Sequence, residues 1–424
     1  MDRKKRIVIS AALGGGLELF DFVIYLFLSP VITLIFFPHQ DKSLAFLATL
    51  GGFAAGYLAR PLGGIVYGHF GDKNGRMRAL SFSLFFMAIP TLLISMLPTY
   101  ATLGILAPIL LILLRFAQGL AMGGDVPGAI CFIGEHMPIK QRGFMTCWLI
   151  FGMNMGAVTA SFLVAALISL LTNESMLTWG WRIPFLMGAL LAVVGFYIRR
   201  RTLETPKFEQ SQKKNELVRW PLKKLFLDHR RSVIFGFSAA MLYAVVTSIL
   251  SLFMSSYLSQ YIGIPSGVAL WLNSASISAY SISCIGAGLL VDRFSPLRIL
   301  KVGTALMFFA VYPIFMLIGS HNLLEIIIAL LFSAPILALI VSPVPTMLIE
   351  LFPTPVRYSG IGVCYSLGLG LFAGISPLLV AFLIAQTGLK IIPAFYIMFI
   401  SLLTFILFSL TPLRSSFLIR KPHE

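Results

Sequence analysis

The sequence predicts an all-α polytopic membrane protein with twelve transmembrane helices. Of its 424 residues, 58% are hydrophobic and only 11% are charged, and the mean hydropathy is +0.92. These values exclude an ordinary water-soluble domain. A helix that crosses a bilayer needs about 20 mostly apolar residues, and the chain has twelve apolar runs of that order. Basic residues collect in alternate loops, as they do in proteins that cross a membrane many times.

The twelve apolar runs fall into two sets of six. The first set defines an N-terminal six-helix bundle over residues 1–198, and the second defines a C-terminal six-helix bundle over residues 232–412. A cytoplasmic basic linker over residues 199–231 joins them, and a short cytoplasmic tail follows over residues 413–424. The predicted spans are 7–37, 43–70, 79–98, 103–136, 144–172, 182–198, 232–261, 266–291, 301–319, 323–351, 358–387 and 391–412.

The distribution of Lys and Arg predicts the topology. With both termini in the cytoplasm, 27 of the 32 basic residues lie in cytoplasmic segments, and only Lys42, Arg182 and Lys390 lie in loops on the other side. Nucleic-acid binding is excluded because the basic residues are spread over seven segments rather than forming one stripe. The linker contains 11 Lys and Arg residues and an amphipathic stretch near residues 218–227. We expect it to contact anionic membrane lipids, with regulatory docking as the alternative.

The two halves also repeat each other in sequence, at two constant offsets that are nearly equal. Parallel repeats of six helices are typical of transporters, which hold the substrate at the interface between the halves and work by alternating access. The first offset relates Gly68, Asp72 and Lys73 to Gly288, Asp292 and Arg293, and the second relates Glu135, Pro138 and Arg142 to Glu350, Pro353 and Arg357.

Other classes of function lack their motifs. No phosphate-binding P-loop occurs, so ATP is not expected to drive transport and an ion gradient is the remaining energy source. The six histidines are scattered and the four cysteines lack metal-ligand spacing, so neither an enzyme, a metal site nor a cofactor is expected.

Several motifs recur in one family of transporters. They are Gly68-x-x-x-Asp72-Lys73-x-Gly75-Arg76-x-Arg78, Glu18-x-x-Asp21, Arg60-x-x-Gly63-Gly64, Arg115-x-x-Gln118-Gly119 and Gly123-Gly124-Asp125. With these motifs the chain resembles the Major Facilitator Superfamily and, within it, the metabolite–proton symporter family, which includes carriers of 2-oxoglutarate, citrate, shikimate, and proline or betaine. The resemblance implies the major-facilitator fold of two pseudo-symmetric six-helix bundles, a bacterial inner-membrane location and coupling to a proton gradient.

Five charged residues lie well inside predicted spans, away from their ends: Glu18, Asp21, Arg60, Arg115 and Asp125. A charge facing lipid at the bilayer centre costs about 2.5–3.5 kcal/mol on insertion scales, so each needs a partner or a wet cavity.

Polar residues of the first span share one helical face. Glu18, Asp21 and Tyr25 are spaced i, i+3, i+7, which predicts that they line a shared cavity. Asp21 is the first choice for carrying the coupling proton and Glu18 the second, because burial disfavours the charged form of an acid. Permanent pairing of both acids with Arg60 or Arg115 is the alternative.

The other candidate residues of the substrate and proton site have two interpretations each. Arg60 and Arg115 can bind a substrate carboxylate through their planar guanidinium groups, although the resemblance implies a role for Arg115 in proton coupling. Gln118 can belong to the site or to an interhelical contact. Asp125 can belong to the site and its inner gate, or pair with basic residues in the loops.

A cytoplasmic gate is predicted where the two sequence repeats meet the predicted loops. Asp72 and Arg76 are spaced for a charge contact, as are Glu135 and Arg142, and the resemblance implies that such pairs act as an inner latch. Ordinary loop charges are the alternative. The full candidate set is Gly68, Asp72, Gly75, Arg76, Glu135, Arg142, Asp292, Arg293, Glu350 and Arg357.

The sequence therefore predicts a monomeric secondary transporter that imports a small carboxylate-bearing metabolite, an organic acid, together with a proton. Three alternatives stay open: a symporter of zwitterions such as proline or betaine, an exporter driven by proton antiport, and a nutrient receptor that has lost transport.

Overall fold

Twelve long helices form the framework of the protein. The computed structural model describes residues 3–200, 204, 210 and 221–410, and all regular structure in those residues is helical. The long helices are α1 (Arg3–Phe27), α2 (Lys42–Asn74), α3 (Arg76–Met96), α4 (Leu106–His136), α5 (Arg142–Leu170), α6 (Arg182–Arg200), α7 (Arg230–Thr247), α8 (Ser266–Arg293), α9 (Pro296–Ile318), α10 (Leu323–Val341), α11 (Arg357–Gly368) and α12 (Ile392–Leu410).

The prediction of twelve membrane-spanning helices is confirmed. Twelve helical segments of the described chain are long and apolar enough to cross a bilayer. Large apolar side chains cover their outer surface, for example Phe86, which is 53% exposed, and Phe309, which is 75% exposed. Such a surface would be unfavourable in water but is the expected lining against lipid tails.

The predicted loop between the second and third spans is almost absent. Helix α2 continues to Asn74 and α3 begins at Arg76, so Asp72 and Lys73 lie in a helix and only Gly75 separates the two helices. Gly75 has φ of 113°, a conformation that favours glycine because it has no Cβ atom. The charged residues of this corner are therefore held rigidly.

Several predicted single spans are interrupted helices. Helix α7 continues through a π-helical turn (Ser248–Leu252), a helical turn (Met254–Tyr257) and a second π-helical turn (Leu258–Ile262). Helix α11 continues through the π-helical turn Leu369–Ala373 and the helix Gly374–Thr387. Helix α1 is likewise followed by Ser29–Phe36, and α10 by Pro343–Leu351.

The interruptions in α7 and α11 meet each other, because Ser248 Oγ donates to the Ala373 carbonyl at 2.6 Å. This bond joins two helices of the second half beside the interface between the halves.

The two halves pack their helices in the same pattern. Helices α1 and α5, α2 and α4, and α3 and α6 pack together in the first half, and α7 and α11, α8 and α10, and α9 and α12 do so in the second. The halves meet along α5 with α8 and along α2 with α11. The pseudo-symmetry inferred from the repeats is thus present in the packing.

Only part of the predicted linker is described. The short helix Pro221–Asp228 buries Pro221 and Leu225 and exposes Lys223 and Lys224, so it is amphipathic. The rest of the predicted linker lies outside the described residues except for residues 199–200, 204, 210 and 229–231, and so does the whole of the predicted tail.

Close helix contacts in the first half depend on glycine. The Cβ atom of any other residue at position 119 in α4 would overlap the backbone carbonyl of Gly56 in α2. We expect Gly119→Ala to lower the midpoint of thermal unfolding in detergent by several degrees, because overpacking of this kind costs about 1–3 kcal/mol. Gly51→Ala in α2 is the matched control, since its Cβ would meet no atom within 4 Å. Equal midpoints for the two variants would contradict this account of the contact.

Candidate functional site

Asp21 lies at the centre of a hydrogen-bonded cluster inside the first half. Thr91 Oγ1 of α3 donates to Asp21 Oδ2 at 2.5 Å. Gln118 Nε2 of α4 donates to the same carboxylate oxygen at 3.4 Å and to Thr91 Oγ1 at 2.7 Å. Asp21 is fully buried, and its Oδ1 has no hydrogen-bond partner among the described residues. One oxygen of this carboxylate is therefore held in place while the other can accept a proton.

Arg115 is connected to the same cluster. Its Nη1 donates to Gln118 Oε1 at 2.8 Å, and its Nη2 donates to the Phe22 carbonyl at 3.1 Å. The guanidinium group lies 4.3 Å from the ring centroid of Phe22 and 4.7 Å from that of Tyr25, which are cation–π distances. Gln118 thus connects the Arg115 guanidinium group to the Asp21 carboxylate.

The remaining predicted residues of α1, Glu18 and Tyr25, both interact with α2. The Tyr25 hydroxyl donates to the Thr49 carbonyl at 2.9 Å, within the first half. Glu18 is buried and interacts electrostatically with Tyr57 of α2. The polar face of α1 is therefore divided between two environments, with Glu18 and Tyr25 facing α2 and Asp21 facing α3 and α4. The structure therefore does not bring Glu18, Asp21 and Tyr25 to one cavity wall.

A narrow cavity lies between the two halves. The centre of a water molecule can occupy about 40 Å³ of this cavity. Because one water needs roughly 10–15 Å³ measured in this way, the cavity has room for more than one. Of the predicted site residues, Arg60 alone lines this cavity. Its walls are formed by Leu19, Tyr57, Arg60, Met122, Met153, Asn154, Ala157, Tyr243, Thr247, Ser251, Leu252, Ile277, Tyr280, Tyr365 and Leu369.

Arg60 is the only cation among the described residues that line the cavity. Its side chain is buried, and the guanidinium carbon lies 5.1 Å from the ring centroid of Tyr57, one helical turn earlier in α2. The Nε and Nη2 atoms of Arg60 have no hydrogen-bond partner among the described residues. Buried guanidinium donors are costly to leave unpaired, so the cavity is suited to an anionic group.

Four tyrosines supply most of the aromatic surface of the cavity: Tyr57, Tyr243, Tyr280 and Tyr365. They belong to α2, α7, α8 and α11, so both halves contribute, and the rings of Tyr243 and Tyr365 are 5.5 Å apart. No carboxylate occurs among the described lining residues. The site combines one cation with the negative faces of several rings.

Asp125 lies in α4, away from the lining of this cavity. Ser83 Oγ of α3 donates to its Oδ1 at 3.1 Å, and the carboxyl group is buried. The sequence places glycine and proline residues around it, yet α4 remains a continuous helix there. Asp125 and Asp21 therefore each accept a hydroxyl bond from the same helix, α3.

Charged residues hold the two halves together at one end of the molecule. We call this the gate end and define its gate cluster as Asp72, Arg76, Glu135, Asp292 and Arg357. Arg76 Nη1 lies 2.5 Å from Asp72 Oδ1, and Arg76 Nη2 lies 3.4 Å from Glu135 Oε1. Arg357 Nη1, from the second half, lies 3.2 Å from the same Glu135 oxygen. Glu135 thus links the first half to the second.

Each half also caps a helix of the other half. Asp72 accepts hydrogen bonds from the backbone N–H groups of Tyr358 and Ser359 at 3.3 and 2.8 Å, at the start of α11. Asp292 accepts bonds from those of Gly143 and Phe144, both at 2.8 Å, at the start of α5. A carboxylate at a helix N-terminus is favoured by the unpaired N–H groups and the helix dipole.

These caps obey the two offsets found in the sequence. Asp72 and Asp292 are equivalent positions under the first offset. The capped residues at the start of α5 and those at the start of α11 are equivalent under the second. The repeats therefore describe one contact made twice, once from each half.

The other predicted gate residues lie around this cluster. Gly68 lets α2 approach α11, since an added Cβ would lie 3.1 Å from Ser359 Cα. Arg142 is buried at the start of α5, and Glu350 is half-buried near the end of Pro343–Leu351. Arg293 is exposed, with its guanidinium carbon 5.7 Å from the ring centroid of Phe294.

The opposite end of the molecule has a weaker contact between the halves. Ser29 Oγ and Ser256 Oγ are 3.1 Å apart, and Ser161 Oγ of α5 donates to the Leu270 carbonyl of α8 at 3.1 Å; both are neutral hydrogen bonds. A cavity of about 620 Å³ lies at this end, lined by residues that include Thr33, His39, Lys42 and Gln260. The gate end is thus closed by charged groups, while a large cavity faces the other side.

Several residues of the site were not found from the sequence. Thr91 and Ser83 are hydroxyl residues in apolar spans, where many such residues only bond their own helix, so nothing distinguished them. Tyr57 lies one turn from Arg60, and that spacing was a usable signal. Tyr243 and Tyr365 belong to the second half, which contains none of the five charges that lie well inside predicted spans.

Comparison with known proteins decides the family. The sequence profile of the Major Facilitator Superfamily matches residues 11–363 and 236–423. The chain belongs to the Major Facilitator Superfamily. It is therefore a membrane transporter and not an enzyme.

Members of the Major Facilitator Superfamily with similar sequences include two bacterial transporters. The glycine betaine/proline/ectoine/pipecolic acid transporter OusA of Dickeya dadantii is 34% identical over 410 residues, which cover 95% of this chain and 82% of OusA. The inner membrane metabolite transport protein YhjE of Escherichia coli is 34% identical over 395 residues, which cover 92% of this chain and 90% of YhjE. The resemblance to the metabolite–proton symporter family is confirmed.

Solved structures of the Major Facilitator Superfamily have the same fold. The proton:xylose symporter XylE bound to 6-bromo-6-deoxy-D-glucose superimposes with a TM-score of 0.81 at 14% identity, covering 96% of each chain. The human organic anion transporter MFSD10 superimposes with a TM-score of 0.67 at 17% identity, covering 96% of this chain and all of MFSD10. At such low identity these structures show the fold alone.

Proposed function

We propose that this transporter imports a small zwitterion, with one carboxylate and a secondary or quaternary amine, together with a proton across a bacterial inner membrane. Two observations support this: a similar protein is named as a transporter of glycine betaine, proline, ectoine and pipecolic acid, and another is named as an inner membrane protein. These names favour the zwitterion alternative over the organic acid that the sequence first predicted.

Arg60 carries the proposal. It lines the cavity between the halves, it is buried, and its Nε and Nη2 atoms have no partner among the described residues. Nε and Nη2 lie on the same edge of the planar guanidinium group, which matches the two oxygens of a carboxylate. Arg60 would therefore bind the carboxylate of the solute.

The rest of the cavity fits the other end of a zwitterion. The faces of tyrosine rings attract a cation, including a quaternary ammonium group that cannot donate a hydrogen bond. A dicarboxylate or tricarboxylate would bring two or three negative charges to a cavity wall with one described cation. One cation and four tyrosines thus match a solute with no net charge better than an organic acid.

Proton coupling is assigned to the cluster around Asp21. The carboxyl group is buried, Thr91 and Gln118 hold one of its oxygens, and the other oxygen has no partner among the described residues. A change of protonation at Asp21 would alter its bond to Gln118 and, through it, the position of Arg115. Arg115 belongs to α4, which packs on α2, the helix that carries Arg60. The cluster can therefore link protonation to the shape of the cavity.

The closed gate cluster supports import as the proposed direction of transport. The positive-inside rule assigns the gate end to the cytoplasm. Because charged contacts close that end, the resting protein would present its other side to the outside. This arrangement favours import, with solute and proton both arriving from outside.

Binding of a zwitterion should depend on Arg60. We expect Arg60→Ala to weaken binding of proline or betaine by about 10–100-fold, because a hydrogen bond to a charged group contributes about 1.5–3 kcal/mol. Arg60→Lys should restore only part of this affinity, since lysine keeps the charge but lacks the planar fork. Calorimetric titration of the purified protein would measure the dissociation constants.

Lys390→Ala is the matched control, because Lys390 is an exposed cation remote from the cavity lining. The same solutes should also be added to proteoliposomes that contain a pH dye, beside citrate and 2-oxoglutarate. Proline- or betaine-dependent proton entry would support the proposal. Proton entry with citrate or 2-oxoglutarate instead, or tight zwitterion binding by Arg60→Ala, would contradict it.

A further inference from the structure

Asp125, a buried acid distinct from Glu18 and Asp21, lies between the Asp21 cluster and the gate cluster. Asp21 bonds Thr91 of α3 and Gln118 of α4, and Asp125 of α4 bonds Ser83 of α3. Gln118 and Asp125 are seven residues apart in α4, and Ser83 and Thr91 are eight residues apart in α3. Both spacings are close to two helical turns, so the two acids bond to positions that lie about 10–12 Å apart along the axes of α3 and α4.

Asp125 is the acid nearer to the gate end. Helix α3 begins at that end with Arg76, and Ser83 follows seven residues later, which corresponds to about 10 Å along the axis. Helix α4 reaches that end with Glu135, ten residues after Asp125. A proton moving from Asp21 towards the gate end along α3 and α4 would therefore reach Asp125 next.

The second half covers Asp125 through α11. The Tyr358 hydroxyl donates to the Gly124 carbonyl at 2.8 Å, and Ser366 Oγ donates to the Gly123 carbonyl at 2.7 Å. The Gly123 carbonyl is available because Pro127, four residues later, has no N–H group to bond it. These two bonds lie on the two residues that immediately precede Asp125.

Tyr358 also contacts the gate cluster. The backbone N–H of Tyr358 donates to Asp72 Oδ1, so its main chain closes the gate while its side chain lies over α4. The titratable groups that face Asp125 from neighbouring helices include the phenols of Tyr67 in α2 and Tyr358 in α11. Separation of α11 from α2 and α4 would remove Tyr358 and admit water to Asp125.

We propose that Asp125 is a second proton-binding site, which receives the coupling proton from Asp21 and releases it at the gate end when Tyr358 moves away. The O–H bond of the Asp21 carboxyl group breaks, its proton passes through water to a carboxylate oxygen of Asp125, and a water molecule beyond the gate then accepts it. This inference rests on the proposed proton coupling at Asp21.

The test compares net uptake with exchange in proteoliposomes. Net uptake needs the proton to leave at the gate end, whereas exchange of internal for external solute can proceed with the proton still bound to Asp21. We expect Asp125→Asn to reduce net proline or betaine uptake by about tenfold or more, since it removes a proton-transfer group. Exchange should stay within about twofold of the parent, a difference of less than 1 kcal/mol in barrier. Asp125→Glu, which keeps an acid, should restore net uptake.

The pH inside the vesicles provides a second readout. Lower internal pH should slow net uptake by the parent, because protons rebind at the release site, and Asp125→Asn should lose this response. Glu325→Gln is the control, since Glu325 is a half-buried acid in the first turn of α10, outside the Asp21 cluster and the gate cluster.

Three outcomes would overturn the role of Asp125. These are parent-like net uptake by Asp125→Asn, an unchanged response to internal pH, or loss of exchange together with net uptake, which would indicate a structural role. If the parent itself moves no protons with either solute, the proposed coupling fails first, so the two failures can be distinguished.

Discussion

Asp21→Asn is expected to abolish accumulation of the solute while leaving exchange across the membrane intact. Asparagine keeps the size of the side chain and an oxygen for the Thr91 and Gln118 bonds, but it cannot take up a proton. One proton moving down a potential of 100 mV supplies about 2.3 kcal/mol, which corresponds to roughly 50-fold accumulation of a neutral solute. The variant should therefore stop at an internal concentration equal to the external one.

The measurement is uptake of labelled proline or betaine into proteoliposomes with an imposed potential, followed by exchange without a gradient. Glu174→Gln is the control, because Glu174 is an exposed acid in the short helical turn Asn173–Ser175 before α6. Full accumulation by Asp21→Asn would exclude Asp21 as the proton carrier. Loss of both activities would indicate instead that the carboxylate is needed for the fold.

The buried acids and arginines were predictable from the sequence, whereas their surroundings were not. A charge in an apolar span is rare and expensive, so Asp21, Arg60 and Arg115 could be identified without a structure. Their partners carry no such signal. In the sequence, Thr91 cannot be told from a threonine whose hydroxyl bonds only its own helix. Only the packing of the helices shows that its hydroxyl meets Asp21.

Helical spacing predicts a shared face but not a shared environment. Glu18, Asp21 and Tyr25 are spaced to lie on one side of α1, yet Asp21 is bonded to α3 and α4 while Tyr25 bonds the backbone of α2. A helix in the middle of a bundle has several neighbours, so a stripe along it meets more than one of them. Spacing along one helix therefore cannot locate a cavity between two halves.

The repeats predicted the twofold construction of the gate end, but not the contacts that close it. The two sequence offsets identify equivalent positions within each half. They cannot show that the carboxylate of one repeat caps the helix that carries the other. That crossing arises because α2 packs on α11 and α8 packs on α5, which is a property of the assembled halves.

These crossed caps should control how often the gate end opens. Asp72→Asn is expected to increase the population that is open at the gate end by about 10–100-fold, because it weakens charge-assisted bonds worth about 1.5–3 kcal/mol. Only the bonds from Asp72 to Tyr358 and Ser359 count, since they join the two halves. The pair of Asp72 with Arg76 lies within the first half, so it persists in both states and does not bias them.

Distance reporters on the two halves would measure the shift. Cysteines introduced at Lys140 and Arg298, both exposed at the gate end, can carry spin labels, because the four native cysteines are buried. The distance between the labels should lengthen in Asp72→Asn. Asp292→Asn, which weakens the equivalent cap on α5, should act in the same direction, and the two effects should add because the sites share no partner.

Asp41→Asn tests whether opening of the gate end requires the loss of a cap that joins the two halves, or only the loss of any helix cap. Asp41 also caps a helix with its carboxylate, accepting from the backbone N–H of Ser43 at 2.8 Å, but the cap and the helix both belong to α2 and its preceding loop. Losing it should lower stability without changing the distance at the gate end. If Asp41→Asn opened the gate end as much as Asp72→Asn, general loosening would explain both. If neither Asp72→Asn nor Asp292→Asn changed the distance, the crossed caps would not be what holds the gate end closed.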